Sequence, residues 1–278
     1  MSAAPAELLA SAFLHASWNA LLKREREPQV AVLGVLFAAL VAAVGAAALL
    51  PGDGFPSRAG LLWALAAGVF EGLYFVTLAA ALDRASYGAV YAIARGGAMV
   101  LVWPAAALLL GETVSRRSAA GAALVGVGVV VVAVAGRAHS SRGGILYAVA
   151  CAASIAGYHL CYDRSLSAGA APAPVFAVAL AVALPMVWAS VRLRGAGGAG
   201  PDRRAALRWS LAGALATASF LLFLVGLSQS GAGMALTLRN TAVVFAQAIA
   251  FAMGEPVPRR QFLGSVLVVA GAALLSWP

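Results

Sequence analysis

The sequence predicts an all-α polytopic membrane protein, with ten transmembrane helices arranged as two inverted five-helix repeats. Composition is the first reason, because 63% of the 278 residues are hydrophobic and only 10% are charged, whereas a soluble domain carries about 25% charged residues. The second reason is a series of apolar runs, each long enough to cross a hydrocarbon core about 30 Å thick. The third is a polar motif that recurs in the second half of the chain.

Ten apolar segments have the length of a transmembrane helix, which needs about 20 residues. They cover residues 6–22, 29–50, 59–82, 86–110, 118–136, 143–163, 172–191, 206–227, 232–253 and 261–277. No basic region or cleavage site marks the first segment as a signal peptide, so we expect it to be retained as a span. The links between segments are short, and even the longest, 192–208, leaves no room for a soluble domain.

An internal repeat divides the chain into two halves, 1–138 and 139–278. The link 111–117, Gly-Glu-Thr-Val-Ser-Arg-Arg, matches the link 254–260, Gly-Glu-Pro-Val-Pro-Arg-Arg. At the same offset, Gly121 and Gly128 correspond to Gly264 and Gly271. Each half holds five spans, and because five is odd the second half must enter the membrane upside down. Inverted repeats of this kind are typical of transporters, whose substrate site lies between the repeats near the membrane midplane.

Loop charge predicts the orientation in the membrane. The links that follow the odd-numbered spans carry 13 lysine and arginine residues, and the opposite side carries 4. The positive-inside rule then places both termini outside the cytoplasm. The net charge of +9 is therefore interpreted as a contact with anionic membrane lipid, and not with nucleic acid.

Two arginines lie deep inside apolar segments. Arg95 and Arg239 fall in the fourth and ninth segments, roughly 10–14 Å from the nearer segment end at 1.5 Å per helical residue. A charge at that depth costs about 2.5–3.5 kcal/mol, so such residues normally face a cavity and meet a partner or a substrate. Glu71, deep in the third segment, is one possible structural ion-pair partner. One carboxylate cannot neutralise two guanidinium groups, and the surplus positive charge predicts a place for an anionic substrate group.

Other polar and aromatic side chains follow the same segments. His15 and Asn19 form an i,i+4 pair with Trp18 beside them, and interhelical hydrogen bonding is the alternative role of that stripe. His159 lies four residues before Asp163, so we expect it near the membrane edge in a solvated or capping role. The predicted substrate-binding residues are Arg95, Arg239, Glu71, His15, Asn19, Tyr91, Trp18, Asn240 and Tyr158.

The repeated links, each of the form Gly-Glu-x-x-x-x-Arg, and the aromatic residues Trp18 and Tyr158 near the ends of helices 1 and 6 carry a family resemblance. On these features the chain resembles the drug/metabolite transporter superfamily, in its ten-helix EamA-type branch. The resemblance implies transport of a metabolite, since family members export or exchange amino acids, nucleotide sugars and sugar phosphates. It also implies termini in the cytoplasm, the reverse of the loop count, and both orientations stay open.

The first helix refines this resemblance. Residues 14–23 are similar to the first helix of a subgroup associated with phosphonate-utilisation genes. The small four-helix members of the superfamily bind cations through a carboxylate embedded in helix 1. Here helix 1 has only Glu7, near its end, which argues against export of cationic drugs.

The functional prediction is a secondary transporter, an exporter or exchanger, of a small anionic or zwitterionic metabolite. Carboxylates, phosphonates, phosphates and amino acids are the expected substrates, moved by alternating access around a midplane site. No G-x-x-x-x-G-K-[ST] loop is present for ATP. The alternative is an integral-membrane enzyme that acts on a lipid or isoprenoid phosphate, but the sequence has neither H-E-x-x-H nor G-x-S-x-G, and we do not expect an enzyme.

Cofactors and metals are not expected. Cys151 and Cys161 are ten residues apart in one segment, too far to bridge and without the spacing of a metal site. The expected partners are a small-molecule substrate and membrane lipid, with the protein a monomer or homodimer. The expected location is the bacterial cytoplasmic (inner) membrane.

Overall fold

The computed structural model describes residues 4–50, 52, 54–105, 108, 115–136, 141–195, 202–254 and 258–276. All regular elements in these residues are helices, which confirms the all-α prediction. In chain order they are α1 (Ala4–Lys23), α2 (Pro28–Leu49), α3 (Arg58–Arg84), α4 (Tyr87–Ala105), α5 (Arg116–Gly136), α6 (Arg142–Ser167), α7 (Pro172–Leu193), α8 (Arg203–Ser230), α9 (Ala232–Arg239), α10 (Ala242–Ala252) and α11 (Arg259–Ser276). Glu112 and Glu255, the carboxylates of the repeated link, lie outside the described residues.

Local sequence sets where several helices begin. Ser57 accepts a hydrogen bond from the Gly60 N–H over 3.1 Å at the start of α3. Asp202 accepts one from the Ala205 N–H over 2.6 Å at the start of α8. Each bond satisfies one of the N–H groups that the first turn leaves without a helical partner. α2 and α7 have a proline in their first turn, which leaves one fewer N–H group without a partner because proline has none.

Several helices have the length and hydropathy of membrane spans. Among the described residues, six helical stretches meet both criteria: α2, α3, α6, α7, α8 and the continuous stretch Ala232–Ala252. Shorter apolar stretches lie in α4 and α5, over Ala89–Val102 and Ala119–Val132. Large apolar side chains such as Phe37, Leu146 and Phe251 point outward, as a surface in contact with lipid requires. These features indicate an integral membrane protein.

The ninth predicted segment is divided into α9 and α10 by a tight turn. Four backbone hydrogen bonds there span three residues, including Thr241 N–H to Leu238 O at 3.1 Å and Val243 N–H to Asn240 O at 3.0 Å. Apolar residues continue on both sides of the turn, so the hydropathy pattern does not show it. Asn and Thr are weak helix formers, and a short 3₁₀ stretch inside a helix often marks a functional hinge. The turn directly follows Arg239.

Helices from the two halves pack against each other. The main contacts between halves join α3 to α6 and α7, α1 and α2 to α8, α4 to α6, and α5 to α11. The α1–α8 contact is antiparallel, since Ser11 Oγ donates to Ser219 O over 2.7 Å near the middle of both helices while Glu25 pairs with Arg208 at their other ends. The α3–α6 contact is antiparallel too.

Glycines bring α5 and α11 into backbone contact. A Cβ atom at Gly128 would lie 2.6 Å from the carbonyl oxygen of Gly264, and a Cβ atom at Gly271 would lie 2.6 Å from that of Gly121. Only glycine fits such close approaches between helices. Because Gly121 meets Gly271 while Gly128 meets Gly264, the two helices run antiparallel. Each glycine of the repeat therefore meets the counterpart of the other: Gly121 meets Gly271, and Gly264, which corresponds to Gly121, meets Gly128.

Candidate substrate-binding site

The two buried arginines converge on one histidine. Arg239 Nη2 lies 3.0 Å from His15 Nδ1, and Arg95 Nη2 is hydrogen bonded to Nε2 of the same ring. All three side chains are buried, with at most 1% of their surface exposed. The contact brings together α1, α4 and the end of α9, which are separated by many residues in the chain.

His15 faces more donors than a neutral imidazole can satisfy. Trp18 donates from Nε1 to His15 Nδ1 over 3.2 Å, the nitrogen that also faces Arg239. Guanidinium and indole N–H groups only donate, and a neutral imidazole has a single acceptor nitrogen. Since both ring nitrogens of His15 are approached by donors, the cluster has a surplus of donors. A group that accepts several hydrogen bonds, such as a carboxylate or a phosphonate, matches this surplus.

Aromatic rings line the arginine pair. The guanidinium carbon of Arg239 lies 4.3 Å from the centre of the Phe220 ring and 4.1 Å from that of Phe223, both on α8. The guanidinium carbon of Arg95 lies 5.8 Å from the centre of the Tyr91 ring. Contacts of this kind contribute about 2 kcal/mol or more when they are desolvated, so the rings offset part of the cost of burying the charges.

Glu71 is buried beside this cluster but does not pair with an arginine. Tyr162 on α6 donates a hydrogen bond to Glu71 Oε2, and Glu71 Oε1 has no partner among the described residues. Salt bridges join Arg84 to Asp83 and Arg208 to Glu25, and neither involves Glu71. The structural ion pair between Glu71 and an arginine is therefore wrong, and the partner of Oε2 is Tyr162 instead.

Buried polar atoms without a hydrogen-bond partner concentrate here. Within the described residues thirteen side-chain atoms are in this condition, and ten of them belong to this cluster. The ten are Asn19 Oδ1, Glu71 Oε1, Tyr91 Oη, Arg95 Nη1, Tyr158 Oη, His159 Nε2, Arg239 Nε and Nη1, and Asn240 Nδ2 and Oδ1. An unsatisfied buried group costs about 1–3 kcal/mol, and native proteins bury few of them. Their concentration in one place makes this cluster the candidate site for a polar ligand.

The structure buries all nine sequence-predicted residues. In the polar stripe on α1, the Asn19 side chain forms a hydrogen bond within its own helix: Nδ2 donates to His15 O over 2.8 Å. Tyr158 packs against Phe220, with ring centres 6.0 Å apart. Asn240 lies at the turn after Arg239, and neither atom of its amide has a partner among the described residues.

His159 was placed wrongly by the sequence. Its side chain is fully buried and stacks on Tyr158 at 4.6 Å between ring centres. By hydropathy the sixth apolar segment ends at residue 163, but α6 continues to Ser167, so His159 lies one turn farther from the helix end than expected. Tyr162 was missed, although its i,i+4 spacing from Tyr158 places both on one face. Phe220 and Phe223 carried no signal, because aromatic residues in an apolar span are indistinguishable from ordinary core.

The helical fold and its long apolar helices define an integral membrane protein. Residues 142–277 match the model of the EamA-like transporter family. The match confirms the resemblance carried by the repeated links and the aromatic residues.

One solved structure, described as "Crystal structure of protein", shares the fold with a TM-score of 0.74 at 20% sequence identity. The alignment covers 99% of this chain and 98% of that chain. At this identity the likeness shows the fold alone. No curated protein matches the chain.

Proposed function

We propose that the protein is a secondary transporter, an exporter or exchanger, of a small anionic or zwitterionic metabolite. The observation that carries this proposal is the pair of buried guanidinium groups of Arg95 and Arg239, which meet at His15 without a carboxylate between them. Burial of an uncompensated charge costs several kcal/mol. An anionic group of the substrate would supply the missing compensation.

Arginine suits this role because its planar fork can donate two parallel hydrogen bonds to a carboxylate, phosphate or phosphonate. Three guanidinium nitrogens in the pair, Arg95 Nη1 and Arg239 Nε and Nη1, have no partner among the described residues. Tyr91 and Tyr158 add two hydroxyl groups in the same condition. These five groups are all able to donate, which is the arrangement that an anion needs.

Alternating access between two inverted five-helix repeats is the proposed mechanism, with the site at the membrane midplane. The packing supports this division at residue 138. The repeat makes α1, α2 and α3 the counterparts of α6, α7 and α8, and contacts between the halves follow this correspondence. The contact of α1 with α8 is matched by that of α6 with α3, and the contact of α2 with α8 is matched by that of α7 with α3. In the antiparallel contact between α5 and α11, the repeat correspondence converts the Gly121–Gly271 contact into the Gly264–Gly128 contact, as expected for two halves of opposite orientation related by a two-fold axis.

The turn after Arg239 supports the same site. Arg239 is the last residue of α9, where the helix dipole favours a positive charge. Transporters of several folds bind their substrates beside interrupted helices. A bend at Asn240 and Thr241 would change the angle between α9 and α10 and so move Arg239 relative to Arg95.

The experiment that tests the function compares Arg239→Gln with wild type in reconstituted vesicles. Transport is assayed with carboxylates, phosphonates, phosphate esters and amino acids offered separately. Loss of a charge-assisted hydrogen bond costs about 1.5–3 kcal/mol, so we expect transport of the best substrate at low concentration to fall about 10- to 150-fold. The exposed Arg259 at the start of α11 provides the control variant Arg259→Gln, which should transport normally. Undiminished transport by a folded Arg239→Gln protein would refute the proposal.

A further inference from the structure

We propose that Glu71 and the aromatic side chains around it bind a positively charged nitrogen, so that the substrate is a zwitterion. This inference rests on the proposed function and narrows its substrate class. The arginine pair would bind the anionic group, and Glu71 would bind the ammonium group. Tyr162 would be a positioning residue, since it holds the carboxylate through one oxygen.

The first support is the unused oxygen of Glu71. The side chain has none of its surface exposed, Tyr162 bonds to Oε2, and Oε1 has no partner in the described part of the chain. A buried carboxylate normally meets a cation or several donors, because isolation from water is expensive. An ammonium group provides three N–H donors and a full positive charge.

The second support is the ring of aromatic side chains. Tyr158 lies between Tyr74 and Tyr162, with ring centres 5.6 and 5.7 Å away. Phe75 packs against Tyr74, with ring centres 4.9 Å apart. The faces of aromatic rings attract cations, by about 0.5–2 kcal/mol for each contact. Rings around a carboxylate form a suitable enclosure for an ammonium group.

The third support is a second set of buried atoms without partners, which are hydrogen-bond acceptors. His159 Nδ1 lies 2.8 Å from the Ile155 carbonyl oxygen, so Nδ1 carries the proton and Nε2 is an acceptor. Neither that nitrogen nor Asn19 Oδ1 has a partner among the described residues. An anion without N–H or O–H groups cannot donate to these acceptors, whereas an ammonium group can. The acceptors therefore favour a substrate that carries a donor.

The proposed anion subsite, at Arg239, lies close to the proposed ammonium subsite, where Tyr162 holds Glu71. Both lie near the Phe220 ring: the guanidinium carbon of Arg239 is 4.3 Å from the ring centre, and the Tyr162 ring centre is 6.4 Å from the same point. The guanidinium and the Tyr162 ring are thus no farther apart than these two distances together. That upper limit is compatible with a small molecule that carries both an anionic group and an ammonium group.

The test uses pairs of compounds that differ only in the amine. Alanine is compared with propionate, aminomethylphosphonate with methylphosphonate, and ethanolamine phosphate with ethyl phosphate. Binding to the purified full chain is measured by the shift in thermal unfolding as each compound is titrated. In at least one pair we expect the aminated compound to bind at least tenfold more tightly.

Glu71→Gln should abolish that preference, because glutamine keeps the shape and removes the charge, so that the two compounds of each pair bind with equal affinity. Glu71→Asp, which keeps the charge, should retain part of the preference. Glu7→Gln, on α1 outside the site, is the matched control and should behave as wild type.

Three outcomes would overturn the inference. Equal binding within every pair, with sensitivity to Arg239→Gln, would leave the anion site standing and remove the ammonium subsite. A Glu71→Gln protein that keeps the amine preference but loses its response to a pH gradient would make Glu71 a proton carrier instead. If no compound of any pair binds, both the ammonium subsite and the proposed function are rejected for these three classes of anion.

Discussion

Two alanine substitutions on one helix should have opposite effects on stability. At Gly128 a Cβ atom would lie 2.6 Å from the Gly264 carbonyl oxygen and 2.8 Å from the Val268 nitrogen. Both are backbone atoms that cannot rotate away, so α5 and α11 must separate locally. At Gly126, two residues earlier, a Cβ atom meets nothing within 4 Å. The two positions therefore lie on the same helix but differ in the room available for an added methyl group.

The expected magnitudes follow from these contacts. Overpacking of a close contact costs about 1–3 kcal/mol, and replacement of glycine by alanine inside a helix contributes about 0.5–1 kcal/mol in the other direction. We therefore expect Gly128→Ala to lower the free energy of unfolding by up to roughly 2 kcal/mol. Gly126→Ala should raise it by somewhat less than 1 kcal/mol.

Thermal unfolding in detergent measures both variants against wild type. Equal shifts for the two variants, or a stabilised Gly128→Ala protein, would refute the close approach of α5 and α11. A transport assay on the same proteins adds a functional measurement, since this contact joins the two halves of the chain.

Two further substitutions test the site and its surroundings. Phe220→Leu keeps an apolar side chain at this position but removes the aromatic ring beneath Arg239. We therefore expect anion binding to weaken about 2- to 30-fold, equivalent to about 0.5–2 kcal/mol. The lipid-facing Phe37→Leu is its control, and unchanged affinity in a folded Phe220→Leu protein would contradict the stacking role. Glu25→Gln removes the ion pair with Arg208, in which the arginine is exposed and the Glu25 side chain is largely covered. Because water screens a pair with one exposed member, and such pairs contribute little, the melting temperature and transport should stay close to wild type. A clear loss of either would show that this pair fastens α1 to α8.

The sequence predicted the parts of the site that violate hydropathy. Arg95, Arg239 and Glu71 stood out because a charge within an apolar run has a high insertion cost. Their meeting point did not stand out. His15 was visible as part of a polar stripe, but its contacts with two arginines depend on the packing of α1 against α4 and α9, which no local pattern encodes.

Other features were missed for identifiable reasons. Hydropathy ended the sixth segment too early, which misplaced His159, because the polar end of α6 is still buried by its neighbours. The turn at Asn240 and Thr241 changes the hydrogen-bond pattern without changing the apolar character of the segment. Phe220 contributes through its ring face, and a ring face has no sequence signature within a span rich in aromatic and aliphatic residues.

His15 can serve as a built-in spectroscopic reporter. Its two ring nitrogens contact arginines from different halves of the chain, Nε2 with Arg95 and Nδ1 with Arg239. A displacement of α9 relative to α1 and α4 would alter the environment of Nδ1 and leave that of Nε2 in place. The ¹⁵N resonances of this single imidazole would therefore distinguish movement of one half from movement of the other, without any label attached to the protein surface.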